Sequence, residues 1–210
     1  MRIITGSARG IPLETLPGED TRPTGERVKE ALFSMIQFEI EGRRVLDLFA
    51  GSGQLGLEAL SRGAAQCVFI DAARAACDVI AANAKKTRLY DRCRISAGDY
   101  ASFLRGAANR ERFDMIFLDP PYSSGFLPDA LAEIAQGGLL APGGRIICET
   151  DNGPLPASKR LLKDETYHRE QVCRQVFGER EELAEQFAVL RTALYGRTRI
   201  TLLTKGEEIR

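Results

Sequence analysis

Apolar positions change their spacing along the chain, and the changes outline its elements. From Thr24 to about Ile40, Val28, Leu32, Met35 and Ile36 recur at helical intervals, predicting an amphipathic helix with Thr24 as its N-cap. Beyond it, short solid apolar runs alternate with helical stretches. Strands are predicted at 44–48, 67–70, 93–97, 113–118 and 145–149, the last after a turn at Pro142-Gly143-Gly144. Helices are predicted over 53–62, from beyond Asp71 to about Lys86, over 100–107 and over 127–136. Strands without a polar face, alternating with helices, imply a parallel sheet covered on both sides.

The two ends read differently. Residues 1–23 are rich in Gly, Pro, Arg and Thr, with β-capable runs at 2–5 and 12–16, and are expected to form a small hairpin or arm before a domain of residues 24–210. The stretch 167–186 is charged and helical in character, with Val172, Val176, Leu183 and Phe187 as its apolar positions. Strands at 187–194 and 198–204 follow, joined by a hinge short enough to pair them antiparallel. The expected fold is α/β, with seven strands, mostly parallel, and an antiparallel last strand.

Composition narrows the class. A hydrophobic share of 44% and a charged share of 28% are those of a globular domain. The five cysteines are irregularly spaced without a C-x-x-C pair and His168 is the single histidine, so neither a metal site nor a disulfide framework is expected. No apolar run is long enough for a signal or a membrane span, and a cytoplasmic location is expected. The formal net charge is zero, so a nucleic-acid partner must be held by a local patch or presented within a larger particle.

Between the first strand and its helix lies Asp47-Leu48-Phe49-Ala50-Gly51-Ser52-Gly53-Gln54-Leu55-Gly56, which spells G-x-G-x-x-G. Glycines there let the backbone turn sharply and approach a ligand. A carboxylate, Asp71, follows Gly51 by about twenty residues, as in dinucleotide-binding units. Asp47, however, ends the strand with a negative charge that repels a pyrophosphate and attracts a cation. S-adenosylmethionine, with its sulfonium and ammonium and no phosphate, fits that charge. Asp71 is then expected to hold ribose hydroxyls and Asp99 the adenine amine, with Phe49, Gly51, Ser52, Gly53 and Tyr100 in the same site.

Asp119-Pro120-Pro121-Tyr122 directly follows the fourth strand. The lone pair of an exocyclic amine is delocalised into its ring, so methylating it requires acceptors that lift it out of plane. Asp119 can accept one N–H and the Pro120 carbonyl the other, with the prolines fixing the geometry and Tyr122 stacking on the base. Because the sulfonium is a good leaving group, positioning supplies most of the catalysis.

Beyond these motifs, Thr21-Arg22-Pro23-Thr24, Arg27-Val28-Lys29-Glu30-Ala31-Leu32-Phe33, Gly56-Leu57-Glu58-Ala59-Leu60-Ser61-Arg62-Gly63-Ala64, Phe117-Leu118-Asp119-Pro120-Pro121-Tyr122 and Tyr195-Gly196-Arg197-Thr198-Arg199 resemble the RsmD family, bacterial methyltransferases of guanine N2 in 16S rRNA. The resemblance covers Met1 to about Asp151 and Phe187 to Lys205. It implies a Rossmann-like class I fold, S-adenosylmethionine as donor, and a flipped guanine in 16S rRNA within a small ribosomal subunit or assembly intermediate. It also implies that the N-terminal segment, including Thr24, closes over the donor, and that Arg9, Arg22 and Arg27 help grip RNA. One departure is an extra, helical insert at about 157–186. The competing readings are a DNA or protein amino methyltransferase with the same chemistry, and a non-catalytic RNA-binding assembly protein.

Overall fold

Residues of the central strands of this chain are apolar on both sides, and the two sets go to two separate cores. In the computed structural model, which describes residues 1–16, 23–121, 124–151 and 170–206 apart from the side chains of Pro23, Thr24 and Glu181, Val45, Phe69 and Phe117 join one core while their neighbours Leu46, Val68 and Ile116 join the other. That is the period-two alternation of a sheet buried on both faces. The sheet contains β1 (Arg44–Asp47), β2 (Gln66–Asp71), β3 (Cys93–Ala97), β4 (Phe113–Leu118), β5 (Leu140–Asp151), β6 (Phe187–Tyr195) and β7 (Thr198–Lys205), in spatial order β3-β2-β1-β4-β5-β7-β6. Strands β1 to β5 pair in parallel; β7 runs antiparallel to both β5 and β6.

Helices α1 (Pro23–Met35), α2 (Gln54–Ser61) and α3 (Arg74–Lys86) contribute to the first core. Helices α4 (Tyr100–Ala107), α5 (Phe126–Gln136) and α6 (Glu181–Gln186) contribute to the second. Among the described residues no helix is long and apolar enough to cross a membrane.

Several boundaries differ from expectation. Helix α1 begins at Pro23, so Thr24 lies in its first turn rather than before it. Proline suits that place, where its missing N–H has no partner to lose. The helix stops at Met35, five residues short of Ile40, because a turn closed by Glu39 N–H onto Ile36 C=O buries Ile40 and leaves Phe38 exposed. Pro142-Gly143-Gly144 does not precede β5 but lies inside it. Leu140 already pairs with Phe113, and the extra residues are absorbed as a register shift before Arg145 meets Met115. The runs at 2–5 and 12–16 form no regular strands; a single antiparallel bridge joins Arg2 to Pro12.

The arm is nevertheless firmly seated. Ile3, Ala8 and Leu13 are buried in the first core. Glu58 of α2, fully buried, accepts from the N–H groups of Ile4 (2.8 Å) and Thr5 (3.0 Å) and pairs with Arg62 (2.8 Å) and with buried Lys29 (3.5 Å). Lys29 donates in turn to the Arg2 carbonyl at 2.6 Å, and Ser61 Oγ to that of Thr5 at 2.6 Å. Burial lowers the Lys29 pKa, with the Glu58 charge opposing the shift.

Most of the insert predicted at 157–186 lies outside the described residues. Its second part comprises a short helical stretch ending in one π-helical turn (Cys173–Phe177), then α6. Val172, Val176, Leu183 and Phe187 are all buried, as their spacing predicts.

Candidate functional site

Strand order reverses between β1 and β4, and there a cleft opens at the carboxyl ends of the parallel strands. Its volume is about 1000 Å³, and it is lined by Asp47, Phe49, Gly51, Ser52, Asp71, Asp99, Tyr100, Asp119, Pro120 and Pro121. The structure therefore brings most of the residues singled out from sequence to one place. Gly53 belongs to the same loop but does not line the cleft. Tyr122 and Arg22 lie outside the described residues, as does the side chain of Thr24, although Gly25 beside it reaches the cleft. Arg9 and Arg27 are exposed and do not line the cleft.

The glycine loop is shaped by two left-handed residues, Gly51 (φ 52°) and Gly53 (φ 78°). At Gly56 the constraint is packing: a Cβ there would come within 2.3 Å of the Phe69 ring and 2.6 Å of Cys67 Sγ, so only glycine lets α2 lie this close to β2. Carboxylates fix the loop. Asp47 accepts from Gly56 N–H at 2.9 Å, and Asp71 from Gly51 N–H and Ala73 N–H, both at 2.8 Å. Burial pushes the Asp47 carboxyl up to about 7, with the nearby Asp71 charge adding and the Gly56 bond opposing.

Asp99 caps α4 by accepting from Ser102 N–H at 2.8 Å, a bond that holds its carboxyl below the usual range. Tyr100 packs against Phe49 and Phe126, with ring centroids 5.1 and 5.0 Å apart, and Phe49 and Phe126 lie nearly parallel. Together these rings offer an aromatic wall to a planar ligand.

Four contributors escaped sequence reasoning. Phe126 lines the cleft as the first residue of α5, one position before the helix predicted at 127–136. Met1 and Thr15 of the arm reach the rim. Asn83, fully buried on α3, ties arm to loop: it accepts from Glu14 N–H (2.8 Å) and donates to the carbonyls of Glu14 and Ser52 (both 3.0 Å). The only sequence signal for it is a polar residue on the inner face of an Ala-rich helix.

A second cavity of about 280 Å³ lies beside the first, between the Pro120-Pro121 loop, the end of β5 and the Cys173–Phe177 turn. Pro120, Pro121 and Phe126 line both, so this loop partitions the two spaces. A donor site and an acceptor site for group transfer need that relation. Among the described residues no cluster of His, Cys, Asp and Glu is arranged to hold a metal.

The chain is similar to known proteins. The family model described as conserved hypothetical protein 95 matches residues 1–176. A Bacillus subtilis protein named as a candidate rRNA methyltransferase is 43% identical over 72% of this chain and 83% of its own length. The ribosomal RNA small subunit methyltransferase D of Haemophilus influenzae is 35% identical over 79% of this chain and 88% of its own. Among solved structures, an Escherichia coli protein described as a candidate methyltransferase superposes with a TM-score of 0.72 at 29% identity, covering 98% of this chain and 97% of that one.

Proposed function

The chain belongs to the RsmD family, matched by the conserved hypothetical protein 95 model, and from that premise we propose that it transfers the methyl group of S-adenosylmethionine to the exocyclic N2 amine of a guanine in 16S rRNA. The observation that carries the reading is the meeting of two cavities at Pro120-Pro121, the larger lined by Asp119 with other carboxylates and aromatic rings, the smaller of about 280 Å³.

The larger cleft fits the donor in charge and shape. Strands β1 and β2 end in Asp47 and Asp71, and β3 is followed by Asp99, so a cationic ligand meets negative charge along the floor. Asp47 is nearly inaccessible, and an ammonium nearby offsets the cost of ionising it. Asp71 holds the ribose hydroxyls through acceptor capacity beyond its two backbone bonds, and Asp99 the adenine amine. Phe49 and Tyr100 cover the adenine face, while Gly51, Ser52 and Gly53 let the backbone come close. S-adenosylmethionine supplies an electrophilic methyl group on a sulfonium leaving group.

On the acceptor side, Asp119 and the Pro120 carbonyl accept the two amine hydrogens and turn the nitrogen lone pair toward the cleft. The remaining work is positioning and electrostatics, in a site that needs no reorganisation during transfer. Pro121 fixes the loop, and Tyr122 stacks on the extruded guanine. The arm, with Thr24, closes over the donor, and Arg9, Arg22 and Arg27 grip RNA phosphates. With zero net charge, the enzyme recognises a folded small-subunit particle in the cytoplasm rather than RNA at large.

Incubation with labelled S-adenosylmethionine and small ribosomal subunits lacking this modification tests the proposal, with naked rRNA, DNA and bulk protein in parallel. The expected product is N2-methylguanosine confined to the small-subunit rRNA. Label in DNA or protein overturns the substrate, and no label anywhere overturns the activity.

A further inference from the structure

The end of the sheet opposite the cleft carries the reverse charge. Helix α3 runs back from the carboxyl end of β2, so its last turn lies at the amino ends of the strands, beside the edge strand β3. There Lys85, Lys86 and Arg88 are exposed, and half-buried Arg92 donates from Nη1 to the Ala64 carbonyl at 3.0 Å. None of the four forms an ion pair among the described residues, and Asp91 is the one carboxylate between them in sequence. Nearby, Glu111 is taken up by Arg44 and Arg94, while its exposed neighbours Arg110 and Arg112 make no ion pair among the described residues. Segments 41–44, 85–94 and 110–114 together hold nine Lys and Arg against four Asp and Glu, on a chain of zero net charge.

The backbone singles out Arg88. Its N–H donates to the Lys85 carbonyl at 3.0 Å, and that of Leu89 to the Ala84 carbonyl at 2.8 Å. These paired bonds close a helix through one left-handed residue, and Arg88, at φ 61°, is that residue. Glycine is the usual occupant, because a Cβ is disfavoured there. The other non-glycine residue at positive φ among those described is Asn109, a type that tolerates it. Thr87 and Leu89 on either side are buried, whereas Arg88 is exposed. Tyr90 follows, 45% exposed, with Lys85 Nζ 5.2 Å from its ring centroid. Backbone strain kept at an exposed, unpaired cation points to a role outside the fold.

The partner that fits is a polyanion. Asp47, Asp71, Asp99 and Asp119 line the cleft, so an RNA presenting a base there meets repulsion between its phosphates and these carboxylates. The attraction that holds it has to come from another surface. We propose that the carboxyl end of α3, through Lys85, Lys86, Arg88 and Arg92 with the Tyr90 ring beside them, is a further docking surface for the rRNA, taking phosphates of a segment remote from the target base. The inference rests on the rRNA reading above. The six residues of β2 set the two surfaces roughly 20 Å apart, a span within the surface of a folded ribosomal particle. An exposed ring among the cations adds a stacking face for an unpaired base.

Arg88→Gly sets binding against stability, because glycine relieves the left-handed backbone while removing the charge. Equilibrium binding to unmodified small ribosomal subunits is measured across a salt series, together with donor affinity and thermal stability. The variants are Arg88→Gly, the pair Lys86→Gln with Arg88→Gly and, as a control for charge lost elsewhere, Arg191→Gln on β6. The pair is expected to raise the small-subunit Kd about tenfold near physiological salt and to lower the slope of log affinity against log salt by about two, one per lost phosphate contact. Donor affinity is unchanged, and Arg88→Gly melts no lower than the wild type. Arg191→Gln, exposed at the far edge of the sheet, changes none of these. An unchanged Kd in the pair, an equal rise in Arg191→Gln, or a raised Kd with an unchanged salt slope overturns the inference while the guanine-N2 reading stands. A lower Tm in Arg88→Gly also overturns it, by making the residue part of the fold. Absence of transfer to rRNA by the wild-type enzyme overturns both.

Discussion

The polar groups around the glycine loop and those beside the ends of β5 and β7 are held in different ways. On the β1–β3 side, Asp47, Asp71, Asp99 and Asn83 bond backbone groups: the N–H groups of Gly56, Gly51, Ala73, Ser102 and Glu14, and the carbonyls of Glu14 and Ser52. On the β4–β7 side the links run between side chains far apart in sequence: Arg199 to Gln175, Thr150 to Gln175, Arg197 to Asp151, Arg180 to Asp129. A backbone-held site is rigid and depends on local loop geometry. A site built from side-chain pairs can change its reading edge by substitution. The first arrangement suits a donor that is always the same molecule, and the second suits an acceptor that differs among related enzymes.

The largest expected effect breaks the acceptor side alone. Asp119→Ala should reduce transfer by about a thousandfold, as for loss of a group that stabilises the transition state, while donor affinity measured by calorimetry stays within about threefold. Equal loss of both would mean that Asp119 shapes the donor cleft and that the two halves are not separable.

Next is the pH dependence of donor binding. The Asp47 carboxyl sits at about 7, above its ordinary 3.8, so it is mostly protonated at pH 6. Donor binding favours the ionised form and releases a proton. Affinity should rise about tenfold per unit as pH increases toward 7 and level off above it, with Asp47→Asn removing the slope. For the free protein the sign is opposite. A raised carboxyl pKa gives stability that is fully present below 3.8 and lost as pH rises through about 7.

A smaller effect sharpens the comparison from the donor side. Asn83→Ala removes the bridge between arm and glycine loop, and should raise the donor KM about five- to tenfold with kcat little changed, since each lost bond is worth about 1 kcal/mol. A change confined to the acceptor KM would contradict the division.

The same division explains what could be read from the sequence. The alternation of elements, the glycine loop and the carboxylates at strand ends are local signals, and Asp47, Asp71, Asp99 and Asp119 all line the cleft. Contacts between distant segments leave no such trace. Glu58 and Lys29 look like helix-surface charges until the arm folds over them. Pro142-Gly143-Gly144 looks like a strand boundary until Leu140 pairs with Phe113. Thr24 looks like an N-cap because Pro23 before it suits a loop as well as a first helical turn. Gln175 lies in a charged stretch whose period shows helix and nothing about the cavity it faces.

Hydrogen bonds of the first sixteen residues to α1, α2 and α3 make the arm part of the folding unit. A chain shortened past Thr5 leaves the Glu58 carboxylate buried without two of its donors, and Lys29 without the Arg2 carbonyl. Buried polar groups left without such hydrogen-bond partners cost about 1–3 kcal/mol each, a large fraction of the whole stability of a domain this size. Proteolysis that trims the amino terminus is therefore a route to unfolding.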